Sequence, residues 1–350
     1  MRRKWIVFSL IVLLLSTALG SAFASEGLQV HYLDVGQAES TVLMGQGFTI
    51  LIDAGDRGET DVLYHLHRLG IETIDLLILT HPHADHIGQA AQILDSFAVR
   101  EVWMSGYEHY TVLFETVLDA ILDSDADYYE PRAGEKFSFG QLNLEIVNPT
   151  EIGSDLHDTC IMVRAVYGDI AFLFTGDAER KTETKLSRMG VPLKAQILQL
   201  GHHGSRTSSS LDFLLDVDPE VVIYSAGVGN DYGHPHPEVI NRLKILKVPV
   251  YGTDRYGTIV VNTDGTNYSI EVSKLGEIKH FCVDINTASV EELQRIIHIG
   301  PALAQEIVRQ REIHPFKSIE ELKRVSGIGE KRLADIKSEG LACVKGVVEN

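Results

Sequence analysis

The sequence predicts an α+β fold, in which stacked β-sheets are covered by helices, followed by a small all-α domain. From Gly27 to about Ser273, short β-rich runs alternate with Gly/Asp turns and a few helical stretches. From Asp284 onward, a helical pattern repeats at an offset of 29 residues. A chain of 350 residues is also long enough for two or more domains.

The N-terminus has the pattern of a secretory signal peptide. Three basic residues at positions 2–4 precede an apolar run over about residues 5–19, and Ala22-Phe23-Ala24 supplies the small residues that a signal peptidase recognises. We therefore expect residues 1–24 to be removed, and a secreted protein without a membrane domain. An uncleaved anchor is the alternative, because residues 5–24 are nearly long enough to span a bilayer.

Runs rich in β-branched and aromatic residues, bounded by turn residues, predict the strands of the first domain. The strand candidates are Leu28–Leu33, Ser40–Met44, Thr49–Ile52, Leu76–Leu79, Val102–Met104, Leu142–Val147, Ile161–Val166, Ile170–Thr175, Ile197–Leu200, Val221–Ser225 and Ile259–Val261. The helix candidates are Asp61–Leu69, Gly88–Asp95, Thr111–Leu122, Lys181–Met189, Ser209–Leu215 and Pro237–Leu246.

The charge is unevenly distributed along the chain. Removing the three basic residues of the leader takes the formal net charge from −18 to −21, whereas residues 284–345 carry ten acidic and ten basic side chains. We therefore expect an acidic domain over residues 25–276, a linker at 277–283 and a neutral domain over 284–345. A strongly acidic surface repels polyanions, which counts against simple non-specific nucleic-acid binding by the first domain.

The chain has three cysteines, and in an oxidising compartment an odd number leaves one thiol unpaired. Cys282 and Cys343 flank the C-terminal domain, so we hypothesise a disulfide between them, which would contribute about 4 kcal/mol in the loop-entropy model. Three free or buried thiols are the alternative. Cys160 lies in an apolar run and is expected to be a core residue.

The segment Thr80-His81-Pro82-His83-Ala84-Asp85-His86 follows an apolar run, so we predict a turn at the end of a buried strand. It carries three imidazoles and a carboxylate, which are ligands of zinc and similar divalent ions. These are more donors than one tetrahedral ion uses, so two ions are expected. A His-rich surface loop is the alternative, but four potential ligands at this spacing behind a strand favour a metallohydrolase site.

Further candidate ligands lie where other predicted strands begin or end. They are His157, Asp177, His202, His203, His234 and His236. Side chains at one edge of a sheet can converge although they are far apart in sequence. A lone Asp after Gly is ordinarily a turn residue, and a lone His a satisfied surface or core group. The set therefore points to a shared site more strongly than any single member does.

Together with the His-rich turn, five ordered motifs resemble the metallo-β-lactamase fold superfamily over about 250 residues. They are His31-Tyr32-Leu33-Asp34-Val35-Gly36-Gln37, Leu51-Ile52-Asp53-Ala54-Gly55, Thr175-Gly176-Asp177-Ala178-Glu179, His202-His203-Gly204-Ser205 and Gly233-His234-Pro235-His236-Pro237. In combination they are similar to the extracytoplasmic hydrolase domain of bacterial competence channel proteins. The resemblance implies an αββα sandwich with a dinuclear metal site on its edge.

The same resemblance implies a ligand set, in which zinc is the expected metal and manganese the alternative. One ion would be held by His81, His83 and His157, the second by Asp85, His86 and His203, with Asp177 bridging them. His202 competes with His203 for its role. His157 stands where the competence-type pattern usually has Asn, which favours a complete first site. Ala38-Glu39 replaces a Gly-Asp pair, which we interpret as a modest loop change.

Two cations bridged by Asp177 would lower the pKa of a shared water, so metal-bound hydroxide is the expected nucleophile, and Asp85 is assigned a catalytic role beside its ligand role. His234 is the candidate to contact a substrate phosphate or to protonate the leaving group, whereas His236 could be a turn residue between two prolines. Neither Cys160 nor Ser205 has an evident base and orienting partner, which disfavours a side-chain nucleophile.

The repeat near the C-terminus aligns residues 289–296 with residues 318–325 and His298-Ile299-Gly300 with Gly327-Ile328-Gly329. Both copies open with Ser-x-x-Glu, which predicts a capping box at the start of a helix. Each copy is then a helix, a tight Gly-containing hairpin and a second helix, at Pro301–Arg311 and Glu330–Lys337.

This repeat, with the preceding segment Asp284-Ile285-Asn286-Thr287-Ala288, resembles the helix-hairpin-helix domain of competence DNA receptors over about 60 residues. In that family, backbone N–H groups of the hairpins contact DNA phosphates without regard to base. The implied DNA-binding residues are Gly300, Gly327, Ile328, Gly329, Lys331 and Arg332. His298 stands where glycine is usual, which puts the first hairpin's contact in doubt. A packing module that binds protein, or nothing, is the alternative, because the domain has no net charge.

The resemblances imply a secreted metal-dependent phosphodiesterase or nuclease, whose hydrolase domain acts on DNA held by the helix-hairpin-helix domain. A DNA-binding or uptake accessory protein with little catalysis is the alternative, and the retention of every expected ligand counts against it. A phosphocholine-type esterase is a further alternative. β-Lactam hydrolysis is disfavoured, because neither the competence-type motifs nor the appended domain has a use in it.

Overall fold

The computed structural model describes residues 27–153, 155–274, 283–294, 296–339 and 342–344. The chain divides into two compact units, one of residues up to Tyr251 with Ile259–Glu271, the other of Gly252–Thr258 and residues from Val272 onward. The predicted signal peptide, and the predicted linker except for its last residue, lie outside the described residues. Every helix in the described ranges is too short or too polar to cross a membrane.

The strands of the first unit form two large sheets and one two-stranded ladder. They are β1 (Leu28–Tyr32), β2 (Thr41–Gly45), β3 (Phe48–Ile52), β4 (Thr73–Ile74), β5 (Leu76–Leu79), β6 (Ala98–Val99), β7 (Glu101–Met104), β8 (Asp127–Tyr129), β9 (Lys136–Phe139), β10 (Leu142–Asn148), β11 (Met162–Tyr167), β12 (Ile170–Phe174), β13 (Ile197–Gln199), β14 (Val221–Tyr224), β15 (Val250–Gly252), β16 (Ile259–Thr263) and β17 (Tyr268–Val272). The first sheet has the order β17-β16-β1-β2-β3-β5-β7-β8, and the second has the order β15-β14-β13-β12-β11-β10-β9.

Helices lie between the strands, close to where the sequence predicts them. They are α1 (Asp61–Arg68), α2 (Ala84–Ile87), α3 (Ala90–Ser96), α4 (Val112–Asp123), α5 (Arg180–Met189), α6 (Leu211–Val217), α7 (Pro237–Leu246) and α8 (Thr253–Tyr256), and a 3-10 turn spans Gly201–Gly204. Thr111 and Ser210 cap α4 and α6, each accepting a hydrogen bond from a backbone N–H in the first turn.

The two sheets face each other through aromatic side chains. Tyr32 on the first sheet lies 6.2 Å from Phe174 on the second, and Trp103 lies 4.5 Å from Phe137, measured between ring centroids. Helices α1, α3 and α4 bury apolar side chains against the outer face of the first sheet. Helices α5, α6 and α7 do the same on the second sheet. The predicted αββα sandwich is therefore confirmed, because both faces of both sheets are apolar and need cover.

Parallel pairing brings the ends of several strands to one edge of the sandwich. In the first sheet β3 pairs in parallel with β5, and in the second sheet β12, β13 and β14 run parallel. Since parallel strands end at the same edge, the loops after these five strands meet there. Open α/β sheets bind ligands at this edge.

The second unit contains a small helical domain with its own core. Its elements are β18 (Val283–Asp284), α9 (Val290–Leu293), α10 (Pro301–Ile313), a 3-10 helix (Ile319–Arg324), α11 (Glu330–Glu339) and β19 (Ala342–Cys343). The buried side chains include Leu293, Ile307, Phe316 and Ile336. A two-residue parallel ladder between β18 and β19 joins the two ends of this domain.

Only one of the two predicted capping boxes is present. Ser289 accepts a hydrogen bond from the N–H of Glu292, and the Glu292 carboxylate accepts one from the N–H of Ser289. The prediction was wrong at Ser318, whose side chain makes no capping bond and precedes a 3-10 helix. There the Glu321 carboxylate accepts instead from the N–H of Lys317, one residue before the expected position.

Of the three cysteines, the structure describes the side chain of Cys160. Cys160 is fully buried with a free thiol, and burial raises its pKa, which fits the predicted core residue. Cys282 lies outside the described residues, and the side chain of Cys343 is not described. The disulfide between them stays a prediction.

Candidate metal centre

The His-rich turn after β5 divides into two parts that point to different positions. Helix α2 begins at Ala84, so His81 and His83 lie in the extended segment before it, while Asp85 and His86 lie in its first turn. The Nε2 atom of His81 is 3.1 Å from the Nδ1 atom of His83. One short motif therefore supplies two pairs of potential ligands.

Each pair is joined by residues from the second sheet. His81 and His83 meet Asp177, and the ring of His157 lies 5.2 Å from that of His83. Asp85 and His86 meet His203, and each of these three residues offers a ligand atom within 4.8 Å of the others. We refer to the first ligand group (His81, His83, His157) and the second ligand group (Asp85, His86, His203).

Asp177, in the loop after β12, lies between the two groups and offers one oxygen to each. Its Oδ2 atom is 3.5 Å from Nε2 of His81, and its Oδ1 atom is 3.3 Å from Nε2 of His86 and 4.0 Å from Nε2 of His203. The carboxylate is buried. This geometry suits a bridging ligand.

The structure distinguishes the adjacent imidazoles His202 and His203. His203 is buried, with Nε2 3.4 Å from Oδ2 of Asp85. His202 lies beside His157 and Asp177 and is partly exposed, with Nε2 3.5 Å from Oδ2 of Asp177. Both residues have a left-handed backbone, with φ of 53° and 54°. This conformation is costly for a residue with a side chain and persists where the surrounding structure imposes it, often at functional sites.

Hydrogen bonds fix which nitrogen of three imidazoles faces the centre. Nδ1 of His86 lies 2.7 Å from Oδ2 of Asp53, and Nδ1 of His203 lies 3.0 Å from the carbonyl oxygen of Ser225. Both oxygens can only accept, so both Nδ1 atoms carry hydrogen. The third imidazole is that of His81, which lies beside Thr80. The Thr80 hydroxyl donates its one hydrogen to Asp53, so it accepts a hydrogen bond from Nδ1 of His81. All three imidazoles therefore direct Nε2 to the centre, as metal-ligating histidines do.

The atoms that face the centre fit a divalent cation. Nε2 of His86, of His157 and of His203, and Oδ1 of Asp177, are buried without a hydrogen-bond partner among the described residues. Buried polar atoms without a partner are rare in proteins and call for an explanation such as an ion. Imidazole and carboxylate donors suit zinc and similar ions.

The buried carboxylates and imidazoles of the centre shift one another's pKa values. Burial alone would raise the pKa of Asp177, but His86 and His81 outweigh it and hold that pKa well below its usual range. Burial lowers the pKa of His203, but Asp85 and Asp177 raise it to about 9. Burial lowers the pKa of His86 too, but Asp177 and Asp53 raise it well above its usual value. Near neutral pH His86 and His203 therefore each carry a second ring proton.

We expect metal binding to release these protons. Since only neutral imidazole ligates, the metal affinity should rise about tenfold per pH unit for each proton released, up to about pH 9. Calorimetric zinc titrations at pH 7.5 in HEPES and in Tris, which differ in ionisation enthalpy, measure the number of protons. The same heat in both buffers would contradict the assigned protonation.

Two buried carboxylates behind the ligands, Asp53 and Glu39, have no role in the predicted site. Asp53 accepts from the N–H and hydroxyl of Thr80 as well as from His86, and it has a left-handed φ of 60°. Glu39 accepts from the Ser225 hydroxyl and lies 4.0 Å from Nδ1 of His203; burial raises its pKa to about 7. The motifs containing them were the available signal, but a motif does not show which side chain stands behind which ligand.

A cavity of about 260 Å³ opens onto the ligands and includes His234. Gln37 accepts from the N–H of Gly227, so its amide donates to Nδ1 of His234, 3.4 Å away. That leaves hydrogen on Nε2. Burial and the neighbouring His203 lower the pKa of His234 to about 4, so near neutral pH it is a neutral donor. Of its two predicted roles, this favours contact with a substrate oxygen. His236 is the N-cap residue of α7.

In the helical domain, the two hairpins adopt similar conformations despite their different residues. His298 has a φ of 65°, in the left-handed region that Gly327 occupies in the second copy at 101°. Nε2 of His298 lies 2.8 Å from the carboxylate of Asp335. Ile328 is buried, so only its backbone could reach a phosphate.

The other predicted DNA-binding residues lie around the start of α10 and α11. Gly300 is the N-cap residue of α10, and Gly329 directly precedes α11. Lys331 is exposed, and Arg332 donates to the carbonyl oxygen of Gly327. Glycine at 300 and 329 is not required by packing, because an added Cβ would meet no atom within 4 Å.

Comparison with protein families places both parts of the chain. Residues 33–226 match the metallo-beta-lactamase superfamily, and residues 279–339 match the helix-hairpin-helix motif. The first match contains His81, Asp177 and His203 with the rest of both ligand groups. The second contains both hairpins.

Curated relatives agree with the family assignment. Recombination protein 2 of Haemophilus influenzae is 33% identical over 73% of this chain and 31% of its own length. Competence protein ComA of Neisseria gonorrhoeae is 30% identical over 65% of this chain and 31% of its own length. A deoxyribonuclease of Thioalkalivibrio is 30% identical over 63% of this chain and 52% of its own length.

This chain spans about a third of the length of the first two relatives, so the activities of those whole proteins do not transfer to it directly. The matched family covers more than half of the chain. The chain belongs to the metallo-beta-lactamase superfamily and is of the competence-protein type, with a helix-hairpin-helix domain.

Proposed function

We propose that this chain is a secreted phosphodiesterase that uses two divalent metal ions, zinc or manganese, to cleave DNA held by its helix-hairpin-helix domain. The observation that carries the proposal is the position of Asp177, with one oxygen toward each ligand group. Two cations held there would lower the pKa of a water and stabilise charge on a phosphoryl oxygen. Secretion rests on the N-terminal sequence pattern.

The side chains around the cavity have separate parts in this proposal. The two ligand groups and Asp177 hold the cations, and Asp53, Thr80 and Ser225 keep the imidazoles oriented. His234 donates a hydrogen bond from Nε2 to a non-bridging phosphate oxygen. This contact requires no proton transfer. Its orientation comes from Gln37.

The DNA part of the proposal is supported by the helical domain and by the names of relatives. Backbone N–H groups at the start of a helix bind phosphate well, and the missing Cβ atoms at Gly300 and Gly329 leave room for close approach. One relative is named a deoxyribonuclease and another a competence protein.

The test is cleavage of single- and double-stranded DNA by the full chain with zinc or manganese. Parallel reactions contain a phosphocholine ester and a β-lactam, which distinguish the alternative hydrolases. Metal-dependent cleavage of DNA, abolished by EDTA, is the expected result. Intact DNA with a hydrolysed phosphocholine ester would replace the proposal by the esterase function, and DNA binding without hydrolysis would favour the uptake accessory.

The hairpin glycines give a prediction about affinity. Replacing both Gly300 and Gly329 with Leu places side chains where a phosphate would approach, at positions where an added Cβ meets no atom within 4 Å. Loss of hydrogen bonds to a charged group, of about 1.5–3 kcal/mol each, should weaken DNA binding at least about tenfold. Fluorescence anisotropy with a labelled 20-mer in EDTA measures this.

The matched control is Gln305→Leu, which adds the same side chain at an exposed position of α10. It should bind as the parent does. Circular dichroism of both variants checks that the helices persist. Equal affinity for all three proteins would show that the hairpins do not bind DNA.

A further inference from the structure

A basic surface lies on α5, directly beside the candidate metal centre, in a protein with a formal net charge of −18. The exposed residues of this helix are spaced one, three and four apart, so most of them share one face. They are Arg180, Lys181, Thr184, Lys185 and Arg188, with Met189 at the end. The acidic residue within the helix, Glu183, is buried and accepts from the N–H groups of Ser209 and Ser210. The exposed face is therefore cationic.

This face forms one wall of an open groove of about 970 Å³. The opposite wall is the loop before β11 and includes Glu151, Gly153 and Asp158. Along α5 the lining consists mainly of charged and hydroxyl side chains.

Both walls of the groove adjoin metal ligands along the chain. Asp158, in the loop wall, directly follows His157 of the first ligand group. On the helix side, α5 begins three residues after Asp177, and its N-cap residue Glu179 lies 3.4 Å from Nδ1 of His202. The start of α5 is therefore the end of the groove nearest to the ligands, and there the Lys181–Asp158 ion pair joins the two walls.

The cations of this face are available to an anion. Among the described residues, neither Arg180 nor Arg188 has an ion-pair partner, while Lys181 pairs with Asp158 and Lys185 lies 3.8 Å from Glu151. The side chains of Lys181 and Lys185 are 77% and 44% exposed, and those of their partners Asp158 and Glu151 are 19% and 80% exposed. The exposed Lys185–Glu151 pair contributes little free energy, so a phosphate can replace that carboxylate at small cost. Asp158 is mostly buried and also accepts from the Thr182 hydroxyl.

We propose that this groove binds the phosphodiester backbone of the DNA strand on one side of the scissile bond. Charge complementarity favours this occupant: four cations and two carboxylates line a groove in an otherwise acidic protein, and both walls adjoin metal ligands along the chain. This inference rests on the proposed function, because the strand in the groove is the one being cleaved. It also changes the expectation that the acidic first domain repels nucleic acid, since the repulsion need not extend to this face.

The first test compares two double variants of the full chain. Arg180→Gln with Arg188→Gln removes the two unpaired cations of the groove; Lys244→Gln with Lys247→Gln removes two exposed cations on and after α7. The groove variant should lower kcat/KM for a 20-mer about tenfold. The slope of log kcat/KM against the logarithm of the salt concentration should decrease by the equivalent of about two phosphate contacts. Hydrolysis of bis(p-nitrophenyl) phosphate, too small to fill the groove, should be unchanged. The α7 variant should match the parent.

The second test does not require catalysis. In EDTA, the 20-mer should protect Lys181 and Lys185 from acetylation, read by mass spectrometry, but not Lys244. Protection without any hydrolysis would keep the groove and remove the proposed nuclease function. Hydrolysis of the 20-mer with no protection of these lysines, or an unchanged kcat/KM in the groove variant, would overturn the groove proposal and leave the nuclease function in place.

Discussion

Asp177→Asn is expected to lower metal-dependent DNA cleavage by more than about a hundredfold, the upper limit of what residues behind metal ligands contribute. Asp177 offers one carboxylate oxygen to each ligand group, at 3.5 Å from His81 and 3.3 Å from His86. An asparagine keeps the shape but has one oxygen and no charge, so it can serve at most one cation. Single-turnover cleavage of a labelled 20-mer gives the rate, and metal analysis gives the number of bound ions.

Asp95→Asn is the matched control, because it makes the same chemical change at an exposed position on α3. It should cleave at the parental rate and bind the same number of ions. Retention of two bound ions and of full cleavage in Asp177→Asn would refute the bridging role. A folded variant with one bound ion and little cleavage would support it.

Much of the sandwich could be predicted from the sequence, because its strands are short apolar runs between turn residues. Leu76–Leu79 is an example, since all four side chains are buried and the strand is found where predicted. Four of the strands that were missed, β6, β8, β9 and β17, have exposed residues. In β9, Lys136 and Ser138 are exposed, so Phe137 and Phe139 stand alone as a signal.

The predicted helix at Gly88–Asp95 begins at Ala90 in the structure, because the N–H groups of Gly88 and Gln89 donate to the loop after β3, a contact that the sequence does not reveal. Gly88 ends α2, and a Cβ there would lie 2.1 Å from backbone atoms of Asp56 and Arg57. The loop after β3 passes too close for a side chain. The pairing that creates this contact joins residues about thirty positions apart, beyond the reach of local patterns.

For the candidate site, the sequence indicated ligand types and their spacing, but not orientation. The choice between His202 and His203 depends on two consecutive left-handed residues, which no local preference predicts. The partner of His86 is Asp53, 33 positions earlier in the chain. Such partners become evident only once the parallel pairing of β3 and β5 brings their ends together.

Asp53→Asn is expected to weaken metal binding by about ten- to a hundredfold, although Asp53 is too far back to touch a cation. Its Oδ2 atom accepts from both Nδ1 of His86 and the hydroxyl of Thr80. An amide nitrogen at this position donates instead. His86 would then have to accept through Nδ1 and place its hydrogen on Nε2, facing the cation. Competition with a zinc-binding chelator measures the affinity.

The same substitution should affect His81 through Thr80. When the amide donates to the Thr80 hydroxyl, that hydroxyl must donate to Nδ1 of His81, which reverses the tautomer of a second imidazole. If the amide group is rotated by 180°, its nitrogen faces the N–H of Thr80, and that buried N–H loses its acceptor. Asp75→Asn is the control, because Asp75 also accepts a backbone N–H beside β5 but lies at the other end of that strand. Loss of affinity in both variants would indicate a general effect on the sheet, whereas loss in Asp53→Asn alone would show that one carboxylate orients a ligand of each group.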